Sequence, residues 1–152
     1  MSASVELAQL NIARLVAPID APELADFMAV LDEVNAAAEG WPGFRWRLVG
    51  DVGPGATGIR ILSDEMLIVN LSTWACLDDL RSFVAGHAGH REALRRRHDW
   101  FERAGEPMTV CWFVPAGHRP TPAEAERELL ALRREGTSAA RFPFTYRGDP
   151  YD

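Results

Sequence analysis

Along residues 66–74 apolar residues recur on both alternating faces, so that neither face of the segment is mainly polar. Met66, Ile68, Asn70, Ser72 and Trp74 share one face; Leu67, Val69, Leu71 and Thr73 share the other. A strand apolar on both faces lies between two packed layers. A helix signal follows at once, with Leu77, Leu80, Phe83 and Val84 at helical spacing. Gly86 and Gly89 then loosen the backbone around His87 and His90. Residues 65–90 thus carry an amide, Asn70, and an indole, Trp74, toward a helix ending in two histidines.

The rest of the chain is arranged around that stretch. Residues 5–15 read as a first strand, partly apolar on both faces, which Pro18 and Pro22 end. Asp20 and Glu23 have the spacing of a capping box. Leu24, Phe27, Leu31, Val34 and Ala38 then form one apolar stripe on a helix over 21–39, closed by Gly40. A second strand runs over 44–49, with Phe44, Trp46 and Leu48 on one face. The glycine-rich 50–58 segment is read as a hairpin loop, because no Lys-Ser/Thr pair or helix follows it. Residues 59–62 extend that hairpin. Residues 91–103 return to a helical pattern, with Leu94, Phe101 and either Arg97 or His98 inward. Residues 108–114 form a fourth strand, apolar on both faces, with Trp112 on one and Phe113 on the other. Thr121, Pro122 and Glu124 start a last helix with a stripe of Ala125, Leu129 and Leu132, and Gly136 stops it. In the irregular tail, Phe142, Phe144 and Tyr146 are candidate anchors.

This order is the split β-α-β arrangement of an α+β, ferredoxin-like fold: a four-stranded antiparallel sheet with helices on one face and an extra C-terminal helix. The second sheet face would be bare although three strands are apolar on both sides, and soluble monomers avoid such patches. A homodimer through that face, two sheets closing as a dimeric α+β barrel, resolves the conflict.

Composition narrows the function. At 152 residues the chain is read as a single domain, 1–152, able to bury a core without staples. A net charge of −6 and a pI of about 5.2 argue against nucleic acid and anionic membrane as partners. No apolar run spans a bilayer and the N-terminus does not read as a signal peptide, so a cytoplasmic location is expected. Cys76 and Cys111 make no C-x-x-C motif and are read as small reduced thiols.

The candidate chemistry is sparse. A buried Asn70 needs its amide hydrogen bonds met, either by backbone or water, or by a carbonyl or enolate oxygen whose developing charge it stabilises. Asn11, also on a strand, faces the same space in the second case. Trp46, Trp74 and Trp112 are either core or the walls of an aromatic-ligand pocket. Arg97, in the run Arg95, Arg96, Arg97, is either part of a solvated face or the holder of an anionic substrate group. His87 and His90 share a helical face if the helix continues through the glycines, and suit proton transfer better than metal binding, for which a third ligand is missing. No metal and no cofactor are expected; a haem would need His87 or His90 as axial ligand.

LAQLNIARL, PELADF, WPGFRWRL, LIVNLSTWACLDDLRSFV and the run from GHAGH through VPAGHRPT together resemble the DUF3291 family, a bacterial family of the dimeric α+β barrel superfamily. The resemblance covers nearly the whole chain and implies the fold, not a reaction. NLSTW, with Asn70 and Trp74 four residues apart, is also similar to the cofactor-independent antibiotic-biosynthesis monooxygenases. There, an asparagine and a tryptophan on the third strand bind a phenolic polyketide that reacts with oxygen through its own carbanion. The matching tyrosine is absent here. Two readings follow: a cofactor-free enzyme performing monooxygenation, isomerisation or cyclisation on a hydrophobic or aromatic metabolite, with Asn70, His87 and His90 as its catalytic groups, or a non-catalytic dimer that binds a small apolar ligand.

Overall fold

Five strands, β1 (Val5–Arg14), β2 (Phe44–Arg47), β3 (Leu67–Trp74), β4 (Thr109–Pro115) and β5 (Arg141–Phe142), pair antiparallel in the order β2-β3-β1-β4-β5. The computed structural model describes residues 4–49, 61–62, 64 and 66–143, apart from the side chains of His90, Arg91, Ala93 and Leu94. Helix α1 (Ala25–Glu39) links β1 to β2 after a short 3-10 turn at Pro22–Leu24. Helices α2 (Leu77–Gly86), α3 (Ala88–Arg95) and α4 (Arg97–Trp100) link β3 to β4, and α5 (Pro122–Glu135) follows β4. The first four strands, β1 to β4, have the order of the split β-α-β arrangement, as the sequence pattern implies.

Strand register sorts every side chain onto one of two faces. Leu7 pairs with Trp74 and Phe113, Gln9 with Ser72 and Cys111, and Asn11 with Asn70 and Thr109, so these residues share the first face. Two apolar clusters lie on it. One joins Leu7, Trp74 and Cys111 to Ala38 of α1 and Leu77, Leu80 and Phe83 of α2; the other joins Leu15 and Ile68 to Leu24, Phe27 and Trp100. The first face is therefore the one under α1, α2 and α4.

The second face carries Ala8, Leu10, Ile12, Val69, Leu71, Val110, Trp112 and Val114, and it is not bare. Ala125, Leu129 and Leu132 of α5 pack on it, and Leu10, Leu71 and Val110 are at most 1% exposed. A face-to-face dimer is expected only where this surface is bare; here Ala125, Leu129 and Leu132 of the chain's own last helix cover it. A fully buried Leu contributes about 1.5–3 kcal/mol, so the stripe on α5 accounts for strands that are apolar on both sides. Thr121 Oγ1 caps α5 by accepting from the Glu124 amide at 3.1 Å, and Gly136 ends it at φ 83.

Other expectations change. The sheet has five strands, not four, because Phe142, fully buried against Cys111 and Phe113, draws the tail alongside β4. Such a short strand has no readable period. The Asp20–Glu23 capping box does not form: the helix begins through the 3-10 turn with no side-chain cap. The helix expected over 91–103 breaks at Arg96 and ends at Trp100; Arg97 and His98 are exposed, and the inward residue is Trp100 at 1%. Ile61 and Leu62 form a turn, not strand, with Leu62 at φ 58. The 50–58 loop lies outside the described residues, as do Phe144 and Tyr146. Among the described residues no helix is long and apolar enough to cross a membrane.

Candidate functional site

The first face of the sheet is apolar at both ends and polar in the middle. Along β3 the side chains run Ile68, Asn70, Ser72, Trp74, and along β1 Leu7, Gln9, Asn11, Ala13. One hydrogen-bonded chain ties the polar ones together. Gln9 Nε2 donates to Asn70 Oδ1 at 2.6 Å and to Ser72 Oγ at 2.7 Å, and Trp74 Nε1 donates to the same Ser72 oxygen at 3.0 Å. Because Asn70 Oδ1 is occupied, what Asn70 offers outward is its pair of N–H donors. Asn11 is its direct cross-strand neighbour. Although β1 is the central strand, Asn11 is exposed, so the helical layer leaves the middle of this face open to solvent.

Helix α1 crosses above this strip. Its Phe27 belongs to one apolar cluster and its Ala38 to the other, which places Asn35 at the gap between them. One turn further on, Glu39 Oε1 accepts from Arg47 Nε at 2.5 Å, and Arg47 is the cross-strand partner of Ser72. Asn35 is 6% exposed, and its side chain bonds to no described residue. A buried amide without a partner costs about 1–3 kcal/mol.

Trp74 is 2% exposed and begins a column of rings. Phe83 stacks on it at 5.6 Å, His87 stacks on Phe83 at 5.5 Å, and Phe44 meets Trp74 edge-on at 5.4 Å. Trp74 thus supports the strip from within the core, holding Ser72 in place. His87 stands at the far end of the column, half-buried, with Trp41 edge-on at 6.4 Å. Its ring passes so close to Gly89 that a side chain there would strike it, with Cε1 2.8 Å from the position of a Cβ and Glu33 Oε1 3.6 Å from the same point. Its backbone is extended, φ −85 and ψ 119, so α2 and α3 are separate helices. The shared helical face expected for His87 and His90 is lost for that reason. The His90 side chain lies outside the described residues.

The structure therefore brings Asn70, Asn11 and Trp74 into one region and sets His87 two ring spacings away. It separates the remaining candidates. Trp112 and Trp46 lie on the opposite face: Trp112 donates to Glu124 Oε2 at 3.1 Å, and Trp46 pairs with Thr73. A register shift between Phe44 and Trp46 puts these two on different faces, against the simple alternation expected of 44–49. Arg97 is exposed on α4. Cys111 lies beneath the strip, but burial pushes its thiol up to about 12 despite the nearby charge of Arg81, so no thiolate is available near neutrality. Among the described residues no three His, Cys, Asp or Glu side chains converge as a metal site.

A cavity of about 240 Å³ opens elsewhere, where the second face meets Ile12, Leu67 and Met108. Several of its charges are paired, Arg14 with Asp64 and Glu102 and Arg133 with Glu106, and Arg103 also lines it. Arg133 also donates twice to the Pro107 carbonyl, at 2.8 and 2.9 Å, which fastens α5 to the start of β4. The arrangement is a latch between elements.

Gln9 and Ser72 of the strip, and Asn35 of α1, are not among the site residues expected from the sequence. Gln9 and Ser72 carried a readable signal, since each is a polar residue in the inward register of a buried strand. Asn35 lay between Leu31, Val34 and Ala38 of the helical stripe, a polar interruption of an apolar face.

Residues 6–151 match the family model described as a domain of unknown function, DUF3291. The chain belongs to the DUF3291 family. No curated protein matches this DUF3291 chain. Solved structures with a similar backbone are distant. SnoaB, a cofactor-independent oxygenase from Streptomyces nogalater, is 17% identical over 76% of this chain and 95% of its own, with a TM-score of 0.44. A putative antibiotic biosynthesis monooxygenase from Nitrosomonas europaea is 9% identical over 80% and 98%, with a TM-score of 0.45. A NIPSNAP-like domain protein from Burkholderia xenovorans is 16% identical over 79% and 92%, with a TM-score of 0.38. The functional reading of this DUF3291 protein rests on its own residues.

Proposed function

We propose that this DUF3291 protein binds a small aromatic or enolic molecule by its oxygen at Asn70 and Asn11, and promotes reaction of that molecule with oxygen without a bound cofactor. The observation that carries the reading is the Gln9–Asn70 hydrogen bond. It occupies the Asn70 oxygen and leaves the N–H donors of that amide, next to the exposed Asn11, to suit a phenolate or enolate oxygen. Preorganised donors of this kind stabilise developing negative charge. Asn70 agrees with the substrate-binding asparagine of the similar antibiotic-biosynthesis monooxygenases, whereas Trp74 here is packed in the core.

The chemistry asked of the protein is modest. Stabilising the enolate favours loss of a proton from the substrate to water. The carbanion form of the substrate adds oxygen to give a peroxide anion, water returns a proton to give the hydroperoxide, and loss of water from that carbon leaves a carbonyl. His87, behind Phe83, has no direct part in this scheme.

The second reading, a non-catalytic binder, draws on one fact: among the described residues no titratable side chain hydrogen-bonds to Asn70, Gln9 or Asn11. Oxygen uptake separates the two. With dithranol as substrate, the enzyme reading requires protein-dependent oxygen consumption that Asn70→Ala reduces at least tenfold. Binding of dithranol with no uptake above the uncatalysed rate decides for the binder, and no binding at all rejects both.

A further inference from the structure

We infer that Asn35 is a ligand-binding residue, and that the site selects planar molecules with polar groups on two opposed edges. This rests on the ligand site proposed at Asn70. Asn35 stands on the one inward face of α1, between the apolar cluster of Phe27 and that of Ala38. Asn70 and Ser72 occupy the corresponding gap on β3, between Ile68 and Trp74. The Glu39–Arg47 ion pair, next to Ser72 across the strands, confirms that this part of α1 lies over that part of the sheet. Asn35 is therefore placed in the helix layer at the level of the polar strip, on the buried side of α1.

Asn35 differs from its counterparts in one respect. Gln9, Asn70 and Ser72 satisfy one another, whereas Asn35, buried to 6% exposure, has no hydrogen-bond partner among the described residues. A leucine would fill the position and continue the stripe of Leu31, Val34 and Ala38. An unmet buried amide there is a standing cost to the fold that a bound polar group relieves. With Asn70 donors on the sheet side and an amide on the helix side, the complementary ligand is a flat ring system with an oxygen at one edge for Asn70 and a second polar group at the far edge for Asn35. Apolar walls on either side, from the two clusters, suit the ring between them.

Two probes and two variants test this: β-naphthol, with one oxygen, and the naphthalenediol that carries a second hydroxyl on the far ring, each titrated against wild type, Asn35→Leu and Asn70→Ala. The wild type is expected to bind the diol about tenfold more tightly than β-naphthol. Asn35→Leu is expected to erase that preference through lost affinity for the diol, and Asn70→Ala to weaken both. Without ligand, the thermal midpoint of Asn35→Leu should equal or exceed that of the wild type. A preference for the diol that survives Asn35→Leu overturns the assignment, with the Asn70 site left standing if Asn70→Ala still weakens both probes. A midpoint lowered by more than ~4 °C also overturns it, since Asn35 would then be a structural amide. Failure of both probes to bind the wild type rejects the site at Asn70 and this inference together.

Discussion

Gln9 Nε2 lies 2.6 Å from Asn70 Oδ1, and that one bond decides which end of the Asn70 amide meets the open part of the sheet. Gln9→Glu replaces the donor with a carboxylate, which the Asn70 oxygen cannot face. The Asn70 amide is then expected to turn, donating to the new carboxylate and presenting its oxygen outward. Binding of β-naphthol should weaken about tenfold, with folding stability changed by only ~1 kcal/mol. Tryptophan fluorescence titration and urea unfolding measure the two quantities, and unchanged affinity would show that Asn70 orientation does not matter to binding.

Trp74 should separate into a packing part and a hydrogen-bonding part. Trp74→Phe keeps a ring between Phe44 and Phe83 but loses the bond to Ser72 Oγ, for a cost of about 1–2 kcal/mol. Trp74→Ala opens a cavity under the strip and costs about 3–5 kcal/mol. Equal costs in chemical denaturation would mean that the indole N–H contributes nothing.

Closure of the second sheet face by α5 can be tested on that helix. Leu129 is fully buried, so Leu129→Ala should lower stability by about 2–5 kcal/mol. A chain ending at Pro120 leaves Leu10, Leu71 and Val110 uncovered and should self-associate, which light scattering would reveal. A truncated chain that remains a stable monomer would contradict the role given to α5.

Cys111 sets an alkaline limit. Its thiol is raised from an ordinary value of 9.0 to about 12, chiefly by burial. The folded state therefore keeps a proton that the unfolded chain releases above pH 9, and stability from this group is full below pH 9 and declines as the pH rises toward 12. Cys111→Ala should flatten that decline relative to its own value at neutral pH. Iodoacetamide at pH 8 should modify Cys76, which is half-buried, and leave Cys111 untouched. Rapid labelling of Cys111 in the folded protein would refute the burial argument.

The sequence by itself determined the order of the main strands and helices and the buried character of β3, because strand and helix periods are local and survive without knowledge of the neighbours. It also determined that Asn70, Ser72 and Trp74 share a face, since side chains alternate along a strand. The tertiary structure decided the rest. The register shift in β2 sends Trp46 away from Phe44, and the extended backbone at His87 separates it from His90; both are single-residue departures that no periodicity records. It also decided what covers the second face. An apolar stripe on α5 satisfies the same burial requirement as a second subunit, and hydrophobic patterning states only that a surface must be covered. Asn35 shows the same division: its polarity is legible in the chain, but its burial between the two apolar clusters follows only from how α1 packs on the sheet.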